Sequence, residues 1–144
     1  MSIRYRAGYK YQITAAYLHP ISDEILAIIN HVALNEYGHE FIAIYQKDKI
    51  MTMAEGYAWD GPSGPTIDTP DFMRGSLVHD ALYQLMRDGY MLQSGRVLAD
   101  RELVAICKAD GMPWWRRAYV YVSVRLFGGP SADPAQRHSD IIAP

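Results

Sequence analysis

Hydrophobic and polar positions divide the chain into a strand-like first half and a helical second half. In residues 9–15, apolar and aromatic side chains alternate with polar ones, which is the period of a half-buried strand. The apolar runs at 41–45 and 50–53 predict two further strands, joined by a polar turn at 46–49. These segments predict an antiparallel sheet in the N-terminal part of the chain.

Residues 25–34 fit two different elements. Ile25, Ile28 and Val32 would share one face of a helix, but apolar side chains in the same segment also alternate as they would in a strand. We favour the strand, because the glycine-containing residues 36–39 would then make a hairpin turn.

The second half of the chain carries three helical segments with clear stop signals. We predict helices at 71–88, 94–110 and 114–128, each with glycine at or just after its end. Asp71 could cap the first helix, and Pro113 suits the first turn of the third. Strands followed by helices predict an α+β fold, with an N-terminal antiparallel β-sheet and a three-helix C-terminal unit.

Length and composition restrict the remaining classes of protein. The 144 residues suffice for one domain, which we place at 1–130, with a loose C-terminal tail at 131–144. A net charge of −2 argues against bulk nucleic-acid binding. Cys107 has no partner for a disulfide, and histidines outside the first helix, His19 among them, lack metal-ligand spacing. We expect a cytoplasmic protein without a transmembrane segment, because no signal-peptide core and no span of roughly 20 apolar residues occurs.

Acidic residues on the predicted helices point to chemistry around His79. His79 and Asp80 lie in an otherwise apolar stretch, where unpaired polar groups are costly to bury. Asp100 lies on or beside the apolar stripe through Leu103 and Cys107, and the short link between the two helices favours their packing together. His79 is then the obvious partner for Asp100. The pair is either a general base with its orienting acid or a buried structural hydrogen bond, and spacing alone favours neither.

The glycine- and proline-rich segment 56–71 predicts a loop directly before the first helix. Asp60 in this loop and Asp80 on the helix, with nearby backbone carbonyls, would offer the hard oxygen ligands that suit calcium. Asp68 and Asp71 are further candidates. The alternative is an ordinary turn in which Asp60 satisfies backbone amides, and turn chemistry is the commoner case.

A segment rich in tryptophan and arginine opens the third helix. Trp114–Arg117 is followed by tyrosines, and no acidic residue occurs from Met112 to Ser131. Such a segment suits a lipid headgroup region or a phosphate-bearing partner. The alternative, which we favour from the sequence, places the aromatic residues in the core beside a solvated basic face.

Four short motifs carry a resemblance that covers residues 40–128. They are Trp59-Asp60-Gly61-Pro62-Ser63, His79-Asp80-Ala81-Leu82-Tyr83, Ala99-Asp100-Arg101 and Val124-Arg125-Leu126-Phe127-Gly128. Together they resemble a phage and bacterial family, the domain of unknown function numbered thirteen fifty-three. The resemblance implies a viral origin, with synthesis in a host cytoplasm and, in one interpretation, a place in the virion.

The order of these motifs is also similar to that of the phospholipase A₂ superfamily, especially its bacterial members. This resemblance implies a phospholipase A₂-like helix pair in which His79 activates a water molecule and Asp100 orients His79. It implies a hydrogen bond from Tyr83 to Asp100, and calcium bound by Asp80 with the glycine-rich loop. The loop residues that would take part are Trp59, Asp60 and Gly61.

The function implied is a phage-associated, calcium-dependent hydrolase of the phospholipase A₂ type, acting on phospholipid or another ester. The chain departs from that superfamily in three ways: it lacks the disulfides, Val78 precedes the His-Asp pair, and the strand-rich first half has no counterpart. Two other interpretations stay open. One is a non-enzymatic phage protein, either a virion component or an inhibitor of host defence, and the other is a metal-dependent hydrolase of cell wall or nucleotide.

Overall fold

The computed structural model describes residues 3, 5–6, 11–29, 41–59 and 69–133. Antiparallel strands in two small sheets occupy the first part of the chain, and helices make up the second part. The α+β fold class predicted from the hydrophobic pattern is therefore confirmed.

The first sheet fixes the chain directly before the glycine-rich loop. In the described residues its strand order is β1-β2-β6, with bounds Tyr5–Arg6, Tyr11–Ile13 and Ala58–Trp59. Both strand pairs are antiparallel, and Tyr11 lies opposite Trp59 with the ring centroids 5.5 Å apart. Ile13 is buried while its neighbour Gln12 is exposed, as the alternating pattern predicts.

The second sheet contains the other three described strands. Its order is β3-β5-β4, with bounds Tyr17–Pro20, Ile50–Met53 and Ile42–Tyr45, and both pairs are antiparallel. The predicted strands at 41–45 and 50–53 and the turn at 46–49 are confirmed, and Lys49 has a positive φ of 53° in that turn. Met51 and Met53 are fully buried, so β5 supplies core side chains.

A short helix, α1 at Asp23–Ile28, replaces the strand that we favoured at the start of 25–34. The reason is a capping sequence, because the Ser22 hydroxyl accepts a hydrogen bond from the Ile25 amide and two acidic residues occupy the first turn. The strand prediction is wrong for residues 25–28. Residues 30–34 lie outside the described part of the chain.

The three predicted long helices are present. They are α2 at Pro70–Arg87, α3 at Arg96–Ala109 and α4 at Trp114–Phe127, with a 3₁₀ turn at Gln93–Gly95 before α3. Thr69, not Asp71, is the N-cap residue of α2, and Asp71 lies in the first turn, where a negative charge is favourable. Gly89 and Gly111 follow α2 and α3 with positive φ, as stop signals do. Along the described chain, none of the helices is both long and apolar enough to cross a bilayer.

Helix α2 is the centre of the core and is buried along most of its length. Gly75 on α2 allows α3 to approach closely, since a Cβ atom there would lie 2.9 Å from Leu103 Cδ1 and 3.0 Å from Cys107 Sγ. Cys107, on the apolar stripe of α3, is fully buried, and burial raises the pKa of its thiol to about 12.

A fourth helical segment, α5 at Gly129–Ala132, follows α4. Ala132 is fully buried and belongs to the main core cluster. The helix therefore extends past residue 131, where we placed the start of the tail, and it packs against α2. Residues 134–144, the rest of the predicted tail, lie outside the described part.

Candidate catalytic site

The packing of α2 against α3 sets the geometry of the site. Gly75, near the start of α2, faces Cys107, near the end of α3. Further along α2, Tyr83 accepts a hydrogen bond from Arg96 at the start of α3. The distance from Arg96 Nε to the Tyr83 hydroxyl is 3.1 Å. The two helices are therefore antiparallel, and residues midway along each must meet.

His79 and Asp100 are the residues that meet there. The distance from His79 Nε2 to Asp100 Oδ1 is 2.6 Å, Asp100 is fully buried, and His79 is 7% exposed. The structure thus brings together the two side chains that helical spacing predicted as partners. A short hydrogen bond to a buried carboxylate fixes the plane and orientation of the imidazole ring.

Tyr83 completes this contact one turn further along α2. Its hydroxyl donates to Asp100 Oδ1 at 2.6 Å, and its ring centroid lies 4.1 Å from that of His79. Arg96 can only donate to the Tyr83 oxygen, so the single phenolic proton is available for Asp100. Burial and the neighbouring Asp100 carboxylate raise the pKa of Tyr83, so Tyr83 stays a neutral donor at physiological pH.

Arg125 on α4 is the site residue that sequence reasoning did not assign. Its Nη1 donates to Asp100 Oδ2 at 2.8 Å, on the side of the carboxylate away from His79. The sequence signal was the absence of acidic residues from Met112 to Ser131, because any carboxylate that pairs with Arg125 then has to come from outside this segment. The short motif around Arg125 also belonged to the resemblance, without a role attached.

The electrostatics of the site keep Asp100 ionised. Burial opposes the charge, but hydrogen bonds from His79, Tyr83 and Arg125 outweigh it and hold the pKa of the Asp100 carboxyl below its usual range. An ionised carboxylate can only accept, so His79 Nε2 carries a proton and donates it. In neutral His79 the lone pair is then on Nδ1, and no described residue makes a hydrogen bond to that atom.

Arg96 ties the end of α4 to this cluster. Besides the Tyr83 hydroxyl, it donates from Nη2 to the carbonyl oxygens of Val124 at 2.9 Å and of Arg125 at 2.5 Å. Gly128, just after α4, packs tightly here, since a Cβ atom would lie 2.9 Å from the Tyr83 hydroxyl. These contacts fix the backbone from which Arg125 reaches Asp100.

The described part of the predicted calcium site is Asp80 and Trp59. Asp80 is half-buried on α2, at the helical position one turn after Ser76. The Trp59 indole donates from Nε1 to the Ser76 hydroxyl at 3.0 Å, so the end of β6 lies against the face of α2 that Ser76 and Asp80 share. Asp60 and Gly61, the next residues of the chain, lie outside the described residues, as does Asp68.

Within the described ranges, no three metal-ligating side chains cluster. Asp71, the other spare carboxylate, is held at the start of α2 by the Thr69 hydroxyl and by Arg116 Nη1 at 3.4 Å. Of the carboxylates that the sequence suggested as calcium ligands, only Asp71 and Asp80 therefore fall within the described residues.

A second buried histidine–carboxylate pair joins β3 to α3, and sequence reasoning missed it. His19 Nε2 lies 2.7 Å from Glu102 Oε1, and His19 Nδ1 lies 3.2 Å from the Tyr17 hydroxyl. Arg74 on α2 donates to the same hydroxyl at 2.9 Å. It also forms a bidentate ion pair with Asp110. No local spacing could reveal a contact between residues 83 positions apart.

In the tryptophan–arginine segment, the side chains have the reverse of the orientation that we favoured from the sequence. Trp114 and Trp115 are 73% and 61% exposed, whereas Arg116 is half-buried and pairs with Asp71. The prediction of core aromatics beside a solvated basic face is therefore wrong. Small and β-branched residues of α4, such as Val120 and Val124, fill the interior in their place.

Comparison with known proteins adds no assignment. No family model matches the chain, and neither a curated protein nor a solved structure is significantly similar to it.

Proposed function

We propose that the protein is a calcium-dependent ester hydrolase of the phospholipase A₂ type, in which His79 is the general base. The observation that carries the proposal is the hydrogen bond from His79 Nε2 to the ionised, buried Asp100. It holds the imidazole in one tautomer with the basic nitrogen, Nδ1, directed away from the carboxylate.

Each residue around His79 has a part in the proposed reaction. His79 Nδ1 accepts a proton from a water molecule as the water oxygen attacks the ester carbonyl. Asp100 stabilises the imidazolium that forms, and the proton then passes to the departing alkoxide as the ester bond breaks. Arg125 and Tyr83 keep Asp100 anionic and aligned, so that Asp100 does not itself take the proton.

Calcium is the metal that the nearby donors would suit. Asp80 and backbone oxygens from Trp59 onward, with Asp60 and Gly61, would supply hard oxygen ligands. The anchoring of Trp59 on Ser76 supports this choice, because it brings the start of the loop to the face of α2 that carries Asp80. Bound calcium would polarise the ester carbonyl.

The test is fatty-acid release from mixed phospholipid vesicles, with calcium or with chelator. Wild type should release fatty acid only with calcium, and His79→Ala should be inactive. His19→Ala is the matched control, because His19 is equally buried and also paired with a carboxylate but lies in the other cluster. Equal activity of wild type and His79→Ala, or none in either, would end the phospholipase proposal.

Absence of fatty-acid release by wild type would favour a non-enzymatic phage protein, acting in the virion or against host defence. One observation supports this second candidate: Asp100 links α2, α3 and α4, which is also what a structural polar core does. In that case His79→Ala would lower thermal stability without changing turnover of any ester, cell-wall peptide or nucleotide. Calcium would also fail to raise the melting temperature, whereas a native-state ligand must raise it.

A further inference from the structure

Arg96 is connected to Asp100 indirectly, although the two residues lie one turn apart on α3. An arginine and an aspartate at this spacing can form a direct ion pair along the helix surface. The half-buried Arg96 instead donates from Nε to the Tyr83 hydroxyl, which in turn donates to Asp100 Oδ1. The tyrosine hydroxyl therefore links the cation to the carboxylate, and Arg96 acts on Asp100 through Tyr83.

This arrangement holds the Tyr83 hydroxyl in one orientation. A phenolic hydroxyl can rotate, but Arg96 is only a donor and ionised Asp100 only an acceptor, so one direction of the proton satisfies both. Burial and the Asp100 carboxylate raise the pKa of Tyr83 and Arg96 lowers it, so removing Arg96 would leave Tyr83 protonated. A change in activity on removing Arg96 would then report the position of the hydroxyl and not its charge.

The same guanidinium holds the carboxyl end of α4. Its Nη2 donates to the carbonyl oxygens of Val124 and Arg125 at 2.9 and 2.5 Å. The Arg125 carbonyl belongs to the last turn of α4, where carbonyls lack partners within the helix and a cation is favourable. Because the Arg125 side chain donates to Asp100 Oδ2, Arg96 holds the backbone of a second residue that donates to Asp100.

Two glycines leave room for these contacts. A Cβ atom on Gly128 would lie 2.9 Å from the Tyr83 hydroxyl, and one on Gly129 would lie 3.4 Å from Arg96 Nη1. Gly128 has an ordinary helical φ of −79°, so its backbone conformation does not require glycine. The missing side chain is instead what allows the end of α4 to approach Tyr83 this closely.

We propose that Arg96 is a positioning residue of the His79 site. Within the described residues, His79, Tyr83 and Arg125 donate to Asp100, and Arg96 holds the last two in place. A carboxylate with fewer aligned donors would hold the His79 ring less firmly, because the 2.6 Å bond depends on where the carboxylate lies. The inference rests on the proposed function and extends it to a residue outside all four sequence motifs.

The first test measures fatty-acid release from vesicles of phosphatidylcholine and phosphatidylglycerol in calcium. Arg96→Met should lower kcat roughly ten- to hundredfold with little change in KM, as expected when a group that orients a catalytic residue is lost. Arg96→Lys should have an intermediate kcat, because lysine keeps the charge but lacks the planar fork. A kcat unchanged in Arg96→Met would overturn the proposal.

Arg74→Met is the matched control. Arg74 also donates to a tyrosine hydroxyl, that of Tyr17, and to Asp110 at the end of another helix, but it belongs to the other cluster. Its replacement should lower the melting temperature and leave kcat at the wild-type value. Equal losses of kcat in Arg96→Met and Arg74→Met would show general destabilisation and overturn the positioning role.

The second test asks whether Arg96 acts through Tyr83. In the Tyr83→Phe background, the fold-loss of kcat caused by Arg96→Met should be clearly smaller than in wild type, because one of the groups that Arg96 positions is already absent. An independent structural contribution would multiply kcat by the same factor in both backgrounds, and that result would also overturn the proposal.

Proton NMR reads the site without turnover. The Nε2 proton of His79 lies in a short bond to a buried carboxylate, so it should give a low-field resonance that is absent from His79→Ala. This resonance should move upfield or broaden in Arg96→Met and stay unchanged in Arg74→Met. No change in Arg96→Met would overturn the proposal. If wild type releases no fatty acid but the resonance responds as expected, the hydrolase proposal fails while the positioning of His79 by Arg96 stands.

Discussion

Replacing Asp100 with asparagine tests the central cluster most directly. The Asp100 carboxylate accepts from His79 and Tyr83 through Oδ1 and from Arg125 through Oδ2. Asparagine is nearly isosteric but has one acceptor and one donor. If its oxygen faces His79, its NH₂ group opposes Arg125. If its oxygen faces Arg125, its NH₂ group opposes His79 Nε2, which must give up its proton and leave the basic lone pair on the wrong nitrogen.

The expected loss of stability follows from this conflict. Either orientation removes a charge-assisted hydrogen bond and leaves a buried donor unmatched, so Asp100→Asn should lower the free energy of unfolding by about 3 to 5 kcal/mol. Urea denaturation at neutral pH measures this quantity. Asp23→Asn is the control, because its side chain is 79% exposed, and its surface pair with Lys49 contributes less than about 1 kcal/mol. A loss for Asp100→Asn no larger than for this control would refute the reasoning.

The pH dependence gives the same prediction a second measurement. The pKa of Asp100 is lowered in the folded protein relative to about 3.9 in an unfolded chain. Its contribution to stability is therefore fully present above the unfolded pKa and is lost as pH falls through the folded pKa. Wild type and Asp100→Asn should differ most at neutral pH and converge below about pH 4. A difference that stays constant into acid would show that the carboxylate charge is not what stabilises the cluster.

Other changes test separate parts of the structure. Gly75→Ala should lower the free energy of unfolding, measured in urea, by about 1 to 3 kcal/mol, although alanine has the better helix propensity. The reason is that the added methyl group would lie 2.9 Å from Leu103 Cδ1. Unchanged stability would contradict the close α2–α3 contact. Arg125→Met should destabilise by about 2 kcal/mol at neutral pH and less in acid, because Asp100 loses one donor; a loss independent of pH would contradict an electrostatic role. Cys107 should react with a thiol reagent only on unfolding, since it is buried with a thiol pKa of about 12; rapid labelling of native protein would contradict this.

Local sequence patterns were sufficient to predict the helical half of the fold. Gly89 and Gly111 end helices by adopting positive φ, a property that can be read from sequence without any tertiary information. The pairing of His79 with Asp100 was predictable for a related reason. A carboxylate on an apolar helix face needs a partner, and a short link leaves the neighbouring helix as the nearest source.

The failures have a different physical origin. The apolar spacing of residues 25–28 fits both a helix and a strand. The hydrogen bond from the Ile25 amide to the Ser22 hydroxyl caps the helix and so favours it over the strand. The outward direction of Trp114 and Trp115 depends on which face of α4 meets α3, and that choice is made by tertiary packing. Arg125 reaches Asp100 from the end of α4, which is contacted by Arg96 and by the Tyr83 hydroxyl, both distant in sequence from Arg125. Hydrophobicity assigned to single residues contains none of this information.

The two histidine–carboxylate pairs show which feature separates a candidate base from a structural histidine. Both ring nitrogens of His19 have a partner in the protein: Nε2 contacts Glu102, and Nδ1 contacts the Tyr17 hydroxyl. His79 is held by Asp100 through Nε2 alone, and no described residue binds its Nδ1. Burial and carboxylate pairing are common to the two sites and cannot identify a catalytic role. A general base needs an accessible ring nitrogen, so under the proposed function activity should depend on His79 and not on His19.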